Sequence, residues 1–171
     1  HGVPTAARNG NITRTYGVSA VTANLHLQKL AVGSETVEAM ARWQSQKRAQ
    51  TADGYPCHIT RMWPKREADL LQGGSIYWVV KRVIRCRQRI LRLDAVEGGD
   101  GIRRCAIVLD PEIIRVTPVP RRPFQGWRYL KPEDAPRDLP EDRAEDEDLP
   151  PDLSAALAEI GTFRVNCFGH V

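Results

Sequence analysis

The most constraining feature of the sequence is the stretch 73–93, GGSIYWVVKRVIRCRQRILRL, which combines a dense apolar run with a dense basic run. It holds six Lys or Arg between Lys81 and Arg92 and no acidic residue. A segment that supplies both core residues and positive charge must bury one side and expose the other. The fold has to be organised around this stretch.

Two secondary structures fit this stretch. A helix would align the apolar residues Ile76, Val79, Val80, Val83, Ile84, Ile90 and Leu91, with Arg87 as the main exception. As strands, Arg85, Arg87 and Arg89 face one side, opposite Ile84, Cys86, Gln88 and Ile90. The β-branched, aromatic first half and the opening Gly-Gly pair favour strands. One strand of this length would span about 60 to 70 Å, so we predict two strands, or one sharply bent strand, with the break near residues 81–83.

The net charge of +4 is the sum of two opposed blocks. Residues 1–132 carry 22 Lys/Arg and 10 Asp/Glu, which gives +12, whereas residues 133–152 carry 2 and 10, which gives −8. A basic body joined to an acidic segment indicates a surface for polyanions, with an internal competitor or a solvated tail beside it. The plain alternative is that the surface charges only keep the protein soluble.

The cysteines and the hydropathy indicate the compartment. None of the four cysteines forms a CxxC motif, and Cys86 and Cys105 sit in apolar strand patterns. Such thiols pack as small apolar groups, which favours the reducing cytoplasm. No apolar run is long enough for a signal peptide or a membrane span. Cys167 and His170 are too few ligands for zinc, so we predict neither a metal nor a cofactor.

Composition divides the chain into four parts. Residues 1–24 are predicted to be loosely ordered, 25–132 to form one globular domain, 133–152 to be an acidic, proline-rich segment, and 153–171 a short helix and tail. Within the domain, strands are predicted near 25–32, 57–61, 103–109 and 113–119. One helix is predicted to begin at Ser34, and a second, short helix to end at Leu71. Short strands and two helices in this order predict an α+β fold built on a small, strongly bent β-barrel.

Two segments interleave aromatic and basic residues. They are MWPKR at 62–66 and RRPFQGWRYL at 121–130. Aromatic rings stack on bases and guanidinium groups bind phosphates, so both segments are typical of single-stranded nucleic-acid binding. Each also has a structural interpretation. The first could be a rigid corner that plugs the core, and the second a segment whose rings close the barrel.

We therefore predict a nucleic-acid-binding module without a role at membranes. A base would lie between Trp78 and Trp127, with the amide of Gln88 or Gln125 reading its edge. The basic residues would line the path of the backbone. The candidate interface comprises Arg61, Lys65, Arg66, Trp78, Lys81, Arg85, Arg87, Gln88, Arg121, Arg122, Phe124, Gln125, Trp127 and Arg128.

Five sequence segments carry a resemblance to known families. They are HLQKLAVG, TRMWPKR, GGSIYWVVKRVIRCRQRIL, RRCAIVLDPE and RRPFQGWRYLKPEDAP, which lie within residues 25–139. Together they resemble a bacterial family of proteins of unknown function, family 1489. YWVVK followed by an R-x-R strand is also similar to the PUA-like superfamily, with its EVE, ASCH and YTH domains. That likeness implies a bent β-barrel that recognises modified or flipped bases, with RNA preferred over DNA. Arg82 departs from it, because glycine is expected there.

Two other functions stay open. ASCH-like domains include amidohydrolases, and an enzyme on a small substrate would use Lys81 with Thr60 and Glu112. No spacing of a nucleophile and a base supports this, so a binding role is preferred over catalysis. The basic face could also dock acidic protein partners, including the acidic segment of the same chain.

Overall fold

The computed structural model describes residue 23 and residues 25–140. In this part of the chain it contains seven β-strands and two α-helices: β1 His26–Leu30, α1 Val37–Gln44, β2 Cys57–Thr60, α2 Glu67–Leu70, β3 Ser75–Val80, β4 Val83–Glu97, β5 Arg103–Leu109, β6 Ile114–Pro120 and β7 Trp127–Leu130. Short 3₁₀ turns occur at Lys47–Ala49 and Pro132–Asp134. The predictions for residues 1–22 and 24, for residues 141–152 and for the final helix lie outside the described residues.

The central stretch forms a β-hairpin, which confirms the strand interpretation and the predicted break. β3 and β4 pair antiparallel, and Lys81 and Arg82 form the two-residue turn between Val80 and Val83. Every residue of β3 is buried, and β4 alternates buried and more exposed residues from Val83 to Ile90. The helix alternative is wrong because β-branched and aromatic side chains pack more favourably on a pleated surface.

All seven strands belong to one sheet: six follow the order β2-β5-β4-β3-β1-β7, and β6 pairs with β4 outside this order. β1 and β3 are parallel, and the segment with both helices crosses from one to the other. The 15-residue β4 is long enough to pair with β6 along its first half and with β5 along its second. This long strand is therefore the axis of the fold.

The predicted closed barrel is wrong, because the sheet is open. β2 and β7 are the ends of the strand order, and within the described residues no ladder joins them. The loop after β2 links them through side chains: Trp127 Nε1 donates to Met62 O at 2.9 Å, and Tyr129 Oη accepts from the backbone N–H groups of Lys65 and Arg66 at 3.0 and 3.2 Å. Pro64 has no N–H for a ladder, and the chain continues into α2 instead of another strand. The α+β class is confirmed.

Both faces of the sheet are covered. On the helix face, Leu27, Ile76 and Trp78 belong to a core with Met40 of α1 and Leu70 of α2. On the opposite face, a smaller core consists of Tyr77, Val79, Ile84, Val116 and Leu130, with Ala135 packed against it. We call residues 131–139 the strap, and this second face the strap face.

The strap is attached to the sheet at both ends. It leaves β7 and returns to β6, where Val116 and Asp138 form a bridge. Thr117 N donates to Arg137 O at 2.8 Å, and Leu139 N donates to Arg115 O at 2.9 Å. The predicted domain boundary at residue 132 therefore falls within a segment that packs against the sheet.

Candidate functional site

The turn between β3 and β4 presents two cations at the end of the hairpin. Lys81 and Arg82 have φ angles of +48° and +66°, a left-handed conformation that Asn and Gly adopt more readily. Residues held in this region cost about 1 to 3 kcal/mol each. The glycine expected at position 82 would fit this turn, yet the chain has arginine there.

Backbone and side-chain hydrogen bonds bring other basic residues beside this turn. Arg121 N donates to Arg82 O at 2.7 Å, and Arg121 Nε donates to Gln28 Oε1 at 3.2 Å. Gln28 is directly opposite Arg128 in the pairing of β1 with β7. Residue 28 of β1, the turn at 81–82 and the segment 121–128, which are distant in the sequence, thus meet. We call the set of Lys81, Arg82, Arg121, Arg122 and Arg128 the basic cluster.

The basic cluster has little acidic compensation among the described residues. Lys81 Nζ lies 3.8 Å from Glu35 Oε2, and both side chains are more than half exposed. The four arginines form no ion pair with a carboxylate of residues 25–140. The Arg128 guanidinium lies over the Phe124 ring, 5.3 Å from its centroid. The cluster thus offers positive charge and one half-buried aromatic ring.

The structure brings together only part of the predicted interface. Lys81, Arg121, Arg122 and Arg128 belong to the basic cluster, and Phe124 and the exposed Gln125 lie in the same 121–128 segment. Arg61, Lys65 and Arg66 are exposed on the loop after β2, which contacts β7 through Trp127 and Tyr129. Arg66 forms an ion pair with Asp69 at 2.8 Å. These three residues therefore form a separate basic group beside β7.

The predicted base-contacting residues Trp78, Gln88 and Trp127 lie in the core. Gln88 is fully buried, and its Oε1 accepts from Trp78 Nε1 and from Gln44 Nε2, both at 2.8 Å. Its Nε2 donates to Gln44 Oε1 and to Asp110 O. Trp127 is buried with its Nε1 bonded to Met62 O. The amide and indole N–H groups are thus already hydrogen-bonded within the protein.

Arg85 and Arg87 differ from the cluster because both have partners. Arg85 forms a β-bulge in β4. Trp78 pairs with Cys86 and the next residue, Val79, pairs with Ile84, so Arg85 lies outside the residue pairs of the β3–β4 register. As a result Ile84 packs on the strap face and Cys86 on the helix face, whereas the sequence pattern placed both on one side. Arg87 makes two 2.7 Å hydrogen bonds to Asp138 and one of 3.0 Å to Ser75 Oγ. This pairing holds the pKa of Arg87 above its usual value.

Beneath the strap lies a pocket of about 370 Å³, which we call the strap pocket. His26 of β1, Ser75 and Tyr77 of β3 and Arg87 of β4 line one side, and strap residues including Ala135 and Asp138 line the other. His26 lies in the strand predicted near 25–32, and none of His26, Ser75 and Tyr77 belongs to the interface predicted from the sequence. The one sequence signal for this pocket was the presence of polar side chains at these positions within two otherwise apolar strands, β1 and β3.

A second buried polar group lies on the helix face. Lys29 is 9% exposed and directly opposite both Trp78 and Trp127. Its ammonium group makes one long hydrogen bond, of 3.5 Å to Leu30 O, and forms no ion pair within the described residues, and burial lowers its pKa. The ring of His58 meets that of Trp78 edge-on at 6.2 Å, and burial, together with the charge of Lys29, lowers the pKa of His58 to about 4. Two basic groups thus share an enclosure without an acid.

A larger cavity of about 620 Å³ lies beside β2, β4 and β5. Its charged residues are paired with one another, because Arg92 bonds to Asp53 at 2.9 Å and to Asp94 at 2.8 Å. The pKa of Cys57, the thiol in its wall, is raised by burial and by Asp94, which disfavours a reactive thiolate. This cavity offers no unpaired charge to a ligand.

The residues of the enzyme hypothesis do not meet. Lys81 is at the tip of the β3–β4 hairpin, whereas Glu112 follows β5 beside the middle of β4. At about 3.3 Å per residue, the six to eight strand positions between these levels correspond to roughly 20 to 26 Å. Thr60 Oγ1 accepts a hydrogen bond from Met62 N.

The described part of the chain contains no group of three metal-binding side chains. Residues 25–140 also include no helix that is long and apolar enough to cross a bilayer.

Comparison with known proteins gives one match. The model of a family described as "Protein of unknown function (DUF1489)" matches residues 27–163, which is most of the chain. Neither the curated proteins nor the solved structures yield a match. The resemblance to this family is thereby confirmed, while the likeness to PUA-like domains stays a prediction. The chain belongs to the DUF1489 family of proteins of unknown function.

Proposed function

We propose that the protein binds nucleic acid through the basic cluster. The observation that carries the proposal is the convergence of residues 81–82, 121–122 and 128 on one surface, where four arginines have no carboxylate partner among the described residues. Phosphate groups would supply the missing negative charge through charge-assisted hydrogen bonds with the guanidinium groups.

The turn at Lys81 and Arg82 supports the same function. Both residues adopt a left-handed conformation, which is strained for most residues that carry a Cβ atom. Strained residues of this kind cluster at binding sites, where the structure holds them for a role other than stability. Two cations at a hairpin tip are well placed to enter a groove or follow a phosphate backbone.

Single-stranded RNA is the proposed ligand. The Arg128 guanidinium, which lies over the half-buried Phe124 ring, offers a planar group on which an unpaired base can stack. Unpaired bases are the usual targets of sequence-specific RNA recognition. Recognition of a flipped base between Trp78 and Trp127 gains no support from their burial, so the proposal rests on the exposed surface.

An acidic protein partner is the alternative, and one contact favours it. Asp138, from the predicted acidic segment, already binds Arg87. An acidic peptide would bind basic residues by the same charge-assisted hydrogen bonds. The two partners differ in one respect: a peptide offers no base to stack on the Arg128 guanidinium.

Binding of a fluorescent single-stranded RNA, measured by anisotropy over a range of salt concentrations, tests the proposal. The double variant Arg121→Ala/Arg122→Ala should weaken binding and lower the salt slope by about 1.4, because each phosphate contact contributes roughly 0.7 on a single strand. Arg42→Ala/Lys47→Ala removes two exposed cations outside the cluster and serves as the charge-matched control. The same losses in both variants would show that only net charge matters. Binding of an acidic peptide but no RNA would favour the alternative.

A further inference from the structure

Two buried side chains that line the strap pocket, His26 and Tyr77, each have one polar atom without a hydrogen-bond partner among the described residues. His26 is 8% exposed and Tyr77 is 4% exposed, and their rings meet edge-on at 5.1 Å. Tyr77 Oη and His26 Nε2 make no hydrogen bond with any other residue in the part of the chain that the structure describes. All fully enclosed side-chain polar atoms of the described residues do have partners. Oη and Nε2 must therefore reach open space, and the pocket is the space that both residues line.

Hydrogen bonding fixes the protonation state of His26. Its Nδ1 accepts from the backbone N–H of Ser75 at 3.0 Å, so Nδ1 carries no proton. The remaining proton of the neutral ring is on Nε2, which makes Nε2 a donor. Burial and the charge of Arg87 lower the pKa of His26 to about 4, in agreement with a neutral imidazole. Burial raises the pKa of Tyr77, which keeps its hydroxyl protonated as a second donor.

The charge around the pocket is positive by one unit. Arg87 and Arg137 line it as cations, and Asp138 is the single carboxylate in its lining. Both oxygens of Asp138 are occupied by Arg87, and the third nitrogen of Arg87 donates to Ser75. Among residues 25–140, the pocket thus has two donors without an acceptor and one positive charge without a carboxylate partner. A ligand with one negative charge and two acceptor oxygens matches both.

We propose that the strap pocket binds a small organic carboxylate, whose two oxygens accept hydrogen bonds from Tyr77 Oη and His26 Nε2. A volume of 370 Å³ is sufficient for a ligand of this class. A carboxylate is preferred over a phosphate, because a phosphate dianion would leave excess negative charge beside Asp138. This site is separate from the basic cluster and does not depend on nucleic-acid binding.

Benzoate is a suitable probe, and benzamide is its uncharged analogue of similar shape. The imidazole signals of His26 in the full chain are followed by NMR during titration at pH 7. Benzoate should shift these signals saturably, and benzamide should not. Tyr77→Phe keeps the packed ring and removes only the hydroxyl, so it should lower the affinity for benzoate about tenfold, as expected for a hydrogen bond to a charged group. Tyr55→Phe, outside the pocket, should leave the affinity unchanged.

A second variant tests the charge without altering the core. Arg137→Gln changes an exposed residue at the rim and should weaken benzoate binding several-fold. The proposal is overturned if benzoate causes no saturable shift at His26 or if benzamide binds equally well. It also fails if Tyr77→Phe retains the affinity of the unmodified protein. Each of these results is independent of whether the protein binds RNA.

Discussion

The Arg87 guanidinium and the Asp138 carboxylate meet in two parallel hydrogen bonds: Nε lies 2.7 Å from Oδ1, and Nη2 lies 2.7 Å from Oδ2. The pair joins the middle of β4 to the strap, 51 residues further along the chain. Arg87 was predicted to contact phosphate, and Asp138 belongs to the predicted acidic segment. One acidic residue of that segment, Asp138, therefore already binds Arg87, one of the residues predicted to contact phosphate.

Asp138→Asn should destabilise the protein. Loss of the charged partner leaves Arg87, whose side chain is 21% exposed, with an uncompensated charge near the core. Because Asp138 itself is 47% exposed, solvent screens part of the loss, and we expect a decrease of about 1 to 2 kcal/mol in the free energy of unfolding. Urea denaturation measures this change. Glu133→Gln, an exposed strap residue without an ion pair among the described residues, is the control and should be neutral.

Neutralising the acidic segment should strengthen RNA binding. The variant changes Glu145, Asp146, Glu147 and Asp148, which lie outside the described residues, to Ser or Asn. A tethered polyanion has a high effective concentration, on the order of millimolar for a short flexible linker, so it competes even when its contacts are weak. Anisotropy should show tighter binding at low salt and a smaller gain as salt rises, because salt screens the competing contacts. Equal affinities at low salt would identify the segment as a solvated tail.

Replacing the two cations of the β3–β4 turn should stabilise the protein and weaken RNA binding. Lys81→Asn/Arg82→Gly introduces residues that adopt positive φ with less strain. We expect the free energy of unfolding to rise by about 1 kcal/mol while RNA affinity falls with the loss of two cations. Denaturation and anisotropy on the same preparations measure both effects. If affinity were retained, the cations at the turn would have no part in binding.

The buried histidines should make stability depend on pH. The pKa values of His26 and His58 are lowered to about 4, chiefly by burial, so the folded state binds fewer protons than the unfolded state between pH 6.5 and 4. Their contribution is fully present above pH 6.5 and is lost as the pH falls through 4, by up to about 3 kcal/mol for each histidine. Urea denaturation at pH 7 and pH 5 measures it, and the difference should shrink in His58→Gln. An NMR titration in which both imidazoles have pKa values near 6.5 would contradict the predicted pH dependence.

Lys29→Met should stabilise the protein at neutral pH. Burial lowers the pKa of Lys29. At a pH below the ordinary pKa of lysine, the charged ammonium among apolar residues therefore destabilises the folded state. Methionine has a similar shape and no charge, so we expect the free energy of unfolding to rise by about 1 kcal/mol. Lys47→Met changes an exposed lysine and controls for net charge. Destabilisation by Lys29→Met would indicate that the ammonium group has a favourable partner.

Local patterns were sufficient to predict the hairpin and the class of the fold. Alternation in β4 and the β-branched residues of β3 identified two strands, whereas of the cations near residues 81–89 only Lys81 and Arg82 belong to the basic cluster. Both predictions depend on neighbours along the chain, which determine backbone conformation and the side that each residue faces. The extra residue Arg85 is the exception within this stretch, because a bulge depends on the register between strands.

The sequence by itself determined six of the seven strands, the approximate positions of the two helices, the uneven charge and the family, but it did not predict β7. Only the tertiary structure decided which cations meet, because the basic cluster is assembled by contacts between distant segments, such as Arg121 with Gln28, which are 93 residues apart. It also placed Trp78 and Gln88 in the core, and it brought His26 and Tyr77 together under the strap. Burial and pairing across the sheet depend on which strands are neighbours. That order arises from packing of the whole chain, which no local pattern encodes.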